Sequence, residues 1–534
     1  MRFPSALAPL AHGQFAWFCT ATTIAGLGAW IQSTASAWVM TELAPDAMMV
    51  SLVQAAAQLP VLLLVVPAGA LADLVNRRRY LILTNLWMFF IAALLAGLYA
   101  LGQVGPSLLL VLTTLLAAGA ALNSPAWSSS LTLMVPRDAL AQAVAVNTMS
   151  FNVARAVGPS LGGILVAVGG AALAFAANAV SFAIVAIICG AVLSLSAAPG
   201  PDGLTAEPKG RAILLGVRYV AAEPNLRAAM VRSLAFYGMA SAIWALLPLY
   251  VRQVLELSAA SYGALLGATG VGALVGGLVM PHIRGWLSRD GEVMLGGILC
   301  SATLIPVALL PSPGVTGFAM VVFGFGWILA TSNLTVAVQL ASAPWVRARG
   351  TAVYQAVFSA GMGIGAIVWG WLAETAGLPG TLLAAGLGGV GMAVFGRAYA
   401  LSDEIVDPSL PPSVTPPTVV AHEMMARDLI SLQHPVVVAI AYKVAHEDAD
   451  AFNAAMMEVA KSRRRNGATA WLLGRDVEEP ERWLECFRLP DWLELQRGIA
   501  RVNLMDATAT QAARAFHRGK RPPQVSVLAI EQAN

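Results

Sequence analysis

The sequence predicts an all-α membrane protein of twelve transmembrane helices, arranged as two pseudo-symmetric six-helix halves and followed by a small soluble α+β domain. Three observations predict it. Of 534 residues, 58% are hydrophobic and 11% charged, with a mean hydropathy of +0.71, whereas soluble domains run to about 45–50% apolar and about 25% charged. Apolar runs of about 20 residues, enough to span about 30 Å of hydrocarbon at 1.5 Å per residue, recur along the first 400 positions. Finally, LAQAVAVNTMSFNVARAVGPSLGG, from Leu140, aligns loosely with ARGTAVYQAVFSAGMGIGAIVWGW, from Ala348, pairing Asn147 with Gln355 and Gly162 with Gly370.

The apolar runs fall near 15–40, 49–72, 80–102, 107–134, 140–168 and 171–194, then near 230–252, 260–283, 292–311, 315–341, 350–373 and 380–400. The first follows Arg2 and leads straight into further spans, so it reads as the first membrane helix rather than a cleaved leader. The second run ends in GALADLVNRRRYL, Gly69 to Leu81, with one acid and then three arginines. A hydrophobic helix must put its first charges where water and headgroups begin, and basic ones are retained on the cytoplasmic side. Arg77, Arg78, Arg79, Arg137, Arg284, Arg289, Arg347 and Arg349 fall in loops on one side. The opposite loops carry Glu42, Asp46, Glu256 and Glu374, with Arg252 as the basic exception, so both termini are expected in the cytoplasm.

The expected divisions are a first bundle over 1–195, a connector over 196–229, a second bundle over 230–401, a Pro-rich linker over 402–434 and a soluble domain over 435–534. The connector's RAILLGVRYV segment is amphipathic, with Ile213, Leu214 and Val217 expected inward and Arg211 and Arg218 outward. In the last domain Val436–Val444, Ala468–Asp476, Arg482–Leu489 and Val525–Ile530 read as strands, and Glu447–Arg465 and Asp491–Val502 as helices. That order, βαββαβ, is ferredoxin-like. Edge strands of such domains tend to pair between subunits, which points to a homodimer.

Several chemistries are excluded. The net charge of +3 gives no basis for nucleic-acid binding. Cys19, Cys189, Cys300 and Cys486 have neither disulfide nor zinc spacing. Gly386, Gly388 and Gly391 satisfy GxGxxG, but no strand precedes them, and Walker-type loops are absent. No cofactor, metal or direct use of ATP is expected.

Asp73 sits where it could latch onto the positive N-terminal end of the eleventh helix, or onto Arg347 and Arg349, as a gate between the halves. The plainer alternative makes Arg77, Arg78 and Arg79 topology and headgroup anchors. Arg155 lies about 15 positions into the fifth helix, about 20 Å deep. A charge there costs at least about 2.5–3.5 kcal/mol, so it should face the interior or a wet cavity. It is either an anion-attracting group on a substrate path or a structural arginine bonded to carbonyls and to Asn152 or Asn178. Gly158, Pro159, Gly162 and Gly163 allow close helix approach and bending; Gly263, Gly267, Gly272 and Gly276 read as packing surface. Gln32, Gln54, Gln58, Asn123, Asn147, Asn178, Asn333, Gln339 and Gln355 dot the spans, each needing a partner or water, and Gln32, Asn147 and Gln355 are candidate path residues. No carboxylate lies in the middle of any span.

GALADLVNRRR resembles the loop motif between the second and third helices of the major facilitator superfamily. Gly69, Asp73, Arg77 and Arg78 match it; Leu74 and Asn76 depart from it. ARAVGPSLGG resembles the Gly-Pro motif of the superfamily's antiporters. WIQSTASAWVM, NVARAVGPSLGG and GVRYVAAEPNLR are similar to a bacterial exporter group that includes enterobactin-exporter-like and macrolide-efflux-like proteins, the transmembrane secretion effectors. The C-terminal segment, with RRRNGA (Arg463 to Ala468) and Trp471, is similar to antibiotic-biosynthesis monooxygenase domains. The resemblance implies a multi-pass exporter of the bacterial cytoplasmic (inner) membrane. It would move a small hydrophobic or amphipathic compound, such as a siderophore or antibiotic, by alternating access and proton antiport. The alternative is a membrane-anchored enzyme using the region of Trp471, Trp492 and His446. Twelve spans exceed what an anchor needs, so the C-terminal domain is expected to be regulatory or dimerising.

Overall fold

A computed structural model describes residues 9–72, 75–131, 133–136, 139–192, 217–221, 223–342, 346–401, 434–500, 502 and 504–530. The chain divides into two compact units. The first comprises Met1–Pro199, Ala228–Ala337 and Ala352–Asp403, and the second Gly200–Arg227, Val338–Thr351 and Glu404–Asn534.

The helices that precede the C-terminal domain are α1 (Gly13–Leu43), α2 (Ala47–Ala72), α3 (Arg77–Ala100), α4 (Pro106–Leu131), α5 (Leu140–Ala191), α6 (Pro224–Gln253), α7 (Ala259–Ile283), α8 (Arg289–Ala302), α9 (Leu304–Leu309), α10 (Pro313–Ala341) and α11 (Arg347–Phe395). Nine helices among the described residues are long and apolar enough to cross a membrane. Two of these, α5 with 52 residues and α11 with 49, are each broken by one glycine at positive φ, Gly170 and Gly377, both at +73°. A residue with a side chain pays to adopt that backbone, so glycine marks where each of the two long helices bends. The two breaks fall within one position of the 208-residue offset read from the repeat, so the internal similarity corresponds to the same bend made twice.

Helix ends are set locally. Asn76, standing where the superfamily loop motif has glycine, caps α3 by accepting from the backbone N–H of Arg79 at 3.1 Å. Ser288 caps α8 through the N–H of Gly291 at 3.2 Å. In the first half Phe15, Phe18, Leu81, Val185 and Cys189 form a buried cluster.

The second unit holds β1 (Val436–Lys443), α12 (Ala449–Arg465), β2 (Ala470–Arg475), β3 (Arg482–Leu489), α13 (Trp492–Ala500), α14 (Leu504–Arg514) and β4 (Gln524–Ala529). Its antiparallel sheet has the order β2-β3-β1-β4. Val436, Val438, Ile440 and Tyr442 alternate inward along β1 against Phe452, Met456 and Val459 of α12. Helix α14 was not foreseen, because the stripe it buries, through Ala509 and Ala513 toward Phe516, is made mostly of alanines and gives a weak apolar signal. In the connector, residues 211–216 lie outside the described residues. Val217, expected inward, is 46% exposed, while Tyr219 and Val220 are buried. The inward face there is set by Tyr219, Val220 and Glu223, and at 100° per residue Val217 falls off it.

Candidate functional site

Between the two halves of the membrane unit lies a cavity of about 280 Å³. Trp30 and Gln32 of α1 and Gln54 and Gln58 of α2 line it from the first half, and Trp244 of α6 and Trp327 of α10 from the second. One wall is aromatic: Trp244 has its ring centroid 5.5 Å from Trp327, 6.0 Å from Trp30 and 6.3 Å from Phe323. The other wall is amide-rich. Asn178 donates to Gln32 Oε1 at 3.3 Å, Gln32 donates to Ser36 at 3.2 Å, and Ser359 donates to Gln58 across the halves at 3.3 Å. None of the described lining residues carries a formal charge.

The halves meet through glycines. A Cβ built on Gly163 would lie 2.5 Å from the carbonyl oxygen of Ala259 and 2.9 Å from Gly263 Cα, and one on Gly263 would lie 2.6 Å from the carbonyl oxygen of Pro159. Further along, Gly270 admits Ala156 at 2.5 Å, and Gly267 faces Ser160, whose hydroxyl donates to Gly263 O at 3.3 Å. Gly263 and Gly267, read from sequence as mere packing surface, are therefore the partners of the Gly-Pro motif. Within the first half Gly158 and Gly162 let α5 close on α1, at Trp30 (2.6 Å) and Ile31 (3.0 Å). Gly370 abuts Ser51. At the acidic end Arg252 reaches Thr41 at 3.1 Å and Glu42 at 3.8 Å, and Gln253 donates to the carbonyl of Pro45 at 2.8 Å.

The other candidate residues are dispersed. Arg155 donates to Asn152 at 3.2 Å and lies 5.6 Å from the Phe151 ring, while its Nε is buried without a hydrogen-bond partner among the described residues. It is not among the cavity-lining residues. Asn147 accepts from Thr22 at 3.2 Å, and Trp127 donates to the same Thr22, tying α1, α4 and α5 together. Asn123 is taken up by Thr84 and Asn85. Gln355 is half-buried on α11. Gly69 is half-buried on α2 with nothing near its Cβ direction. Asp73 and Arg137 lie outside the described residues. Arg77 is half-buried, and Arg78 donates to the carbonyls of Cys189, at 3.2 Å, and Gly190, closing the end of α5. Arg347 is exposed and Arg349 half-buried in the first turn of α11.

Two ion pairs with a buried member escaped the sequence reading. Glu292, only 1% exposed, accepts from Asn333 at 2.6 Å and lies 3.9 Å from Arg284. Arg232, 5% exposed, pairs with Asp290. Both acids sit at the mouth of a span, where hydropathy alone cannot tell a loop charge from a buried one.

In the second unit Glu485, fully buried, accepts from Arg463 at 3.0 Å and from Tyr442 and Trp471, both at 3.2 Å. Burial, reinforced by Glu485, holds the Tyr442 phenol well above its ordinary range. Arg465 joins Glu223 at 2.9 Å to Asp506 at 2.5 Å, and Asn466 adds a bond to Asp506 at 2.9 Å. Burial raises the Glu223 carboxyl above the usual range even with Arg465 beside it. The RRRNGA stretch thus serves internal ion pairing. Trp492 and Leu495 are core residues, Trp471 is bound to Glu485, and His446 sits in a short 3-10 turn.

Two helical halves with matching bends, closed on each other by glycines around a cavity lined from both sides, define a polytopic membrane transporter. The chain belongs to the transmembrane secretion effector family of the major facilitator superfamily, whose profile matches residues 4–534. It is 27% identical over 378 residues to the multidrug efflux pump Tap of Mycolicibacterium fortuitum, covering 69% of this chain and 91% of that protein. It is 23% identical over 292 residues to the staphyloferrin A transporter of Staphylococcus aureus (54% and 72% covered). It is 28% identical over 281 residues to the enterobactin exporter EntS of Escherichia coli (50% and 62%). Among solved structures, an inward-facing, unoccupied bacterial homologue of the human lysosomal transporter Spinster matches with a TM-score of 0.56 and 16% identity, over 72% of this chain and 95% of that one. A POT family transporter bound to 5-aminolevulinic acid matches with a TM-score of 0.61 and 12% identity, over 72% and 96%. These structural likenesses concern the fold.

Proposed function

We propose that this protein is a secondary active exporter that moves a small hydrophobic or amphipathic compound, such as a siderophore or antibiotic, out of a bacterial cell by proton antiport. The observation that carries the reading is the uncharged, aromatic and amide-lined cavity between two matched halves. Twelve crossings follow if α1 spans and α5 and α11 each cross twice, with both termini in the cytoplasm and the acidic loops outside. In that orientation the glycine contacts of α5 and α7 and the Arg252 contacts form the outer seal. Asp73 and Arg77 belong to the inner gate, with Arg347 and Arg349 as the opposing charges. Arg155, half-buried and with an Nε that has no hydrogen-bond partner among the described residues, draws the acidic end of a substrate toward the cavity.

The domain over 435–534 is a ferredoxin-like module, a reading supported by its strand order, and it acts as a regulatory or dimerising element. The test is accumulation of siderophores and macrolides in everted membrane vesicles, with and without a protonophore. Protonophore-sensitive accumulation is expected; accumulation indifferent to it removes proton coupling, and none across the panel removes the exporter assignment.

A further inference from the structure

Two residues that line the cavity each bury a polar atom without a hydrogen-bond partner among the described residues: Trp244 its indole Nε1 and Thr113 its hydroxyl. They come from opposite halves, α6 and α4. A buried donor left unmatched bears its full desolvation cost, and such groups are normally paired. Trp244 cannot turn aside easily, because its ring stands among Trp30, Phe323 and Trp327 at centroid distances of 5.5–6.3 Å. The same rings offer faces and edges to another flat π-system at the spacing aromatic pairs favour.

We propose that this wall is a binding site for an uncharged planar aromatic group carrying a hydrogen-bond acceptor, its ring held by Trp244 and Trp327 and its acceptor on the Trp244 N–H. The proposal rests on the exporter reading and names the part of the substrate this cavity selects. Gln54 and Gln58, which line the same space, supply further carboxamide donors and acceptors. With no charged residue among its described lining residues, the cavity offers an ionised ring substituent no counter-ion there, so the aromatic group enters neutral.

Isothermal titration of the full-length protein in nanodiscs with 2-naphthamide and 2-naphthoate tests this, the two probes sharing a ring and differing in charge. The wild type should bind the amide at least about tenfold more tightly than the carboxylate. Trp244→Phe keeps an aromatic ring but removes the donor, and should weaken amide binding about fivefold or more, the scale of one net hydrogen bond. Thr113→Val, a nearly isosteric change in the other half, should weaken it in the same direction and serves if Trp244→Phe does not fold. Amide affinity unchanged in both variants, or carboxylate binding as tight as amide binding, overturns the proposal. Normal discrimination between the probes together with no accumulation of any compound in wild-type vesicles, with or without a protonophore, would instead overturn the exporter reading and leave the site standing.

Discussion

Gly163 and Gly263 face each other across the two halves so closely that a Cβ on either would lie 2.9 Å from the other's Cα. No residue but glycine fits both positions without moving backbone, since these neighbours are main-chain atoms rather than flexible side-chain ends. The contact joins one half's Gly-Pro motif to the other half's small-residue face, the packing by which membrane helices approach without a hydrophobic driving force.

Gly163→Ala should therefore force α5 and α7 apart, an overpacking cost of about 1–3 kcal/mol. A cysteine introduced at Ser36 should become more reactive to a membrane-impermeant maleimide added from outside, and export should fall. Unchanged labelling and transport would show that the glycines are not a seal.

Gly158→Ala acts on a different contact, because its added methyl meets Trp30 Cβ at 2.6 Å. Trp30 lines the cavity, so the expected result is a raised KM for export with protein abundance near normal. A lowered expression level with unaltered KM would assign Gly158 to folding alone.

Arg155→Ala should abolish export of an acidic substrate while leaving the protein folded, as judged by a monodisperse elution profile in detergent. Among the described residues its side-chain hydrogen bond goes to Asn152 at 3.2 Å and its ring contact to Phe151, both in the same helix, so little tertiary structure depends on it. Full export by the alanine variant would make it a structural residue.

Glu292→Ala removes one of the two acceptors of the Asn333 amide, leaving the Leu329 carbonyl at 2.9 Å, and should cost about 1–3 kcal/mol, read as a lower Tm by tryptophan-emission scanning fluorimetry. Glu292→Gln retains an acceptor oxygen and should lose less. Equal losses would mean that the charge opposite Arg284 is what counts.

Arg465→Ala removes the shared cation from two buried carboxylates, Glu223 at 3% and Asp506 at 2% exposure, and leaves Asp506 its bond from Asn466. Removing one member of a buried ionic cluster typically costs about 3–5 kcal/mol. Limited proteolysis of the full-length protein should cut the C-terminal domain and the end of the connector faster than in wild type. Wild-type cleavage rates would mean the cluster holds nothing together.

The sequence by itself determined that most of the chain is membrane helix in two related halves and that a small strand-containing domain follows. Those features rest on local properties: apolar run length, glycine and proline at bends, charges at span ends, and β-branched alternation as in VVVAIAY. It also marked the Gly-Pro motif of α5, since small-residue spacing is visible along one chain. Only the tertiary structure decided that Gly263 and Gly267 are that motif's partners, and that Gln32, Gln54, Gln58 and Asn178 line the cavity while Asn123, Asn147 and Asn333 bind neighbouring helices. It likewise turned Glu292 and Arg232 inward and set Arg465 between Glu223 and Asp506, 242 residues from the former in the chain. The reason is that helices apolar all round give no periodic signal of which face meets which neighbour. That choice is made by close contacts between residues far apart in the chain, and these exist only once it has folded.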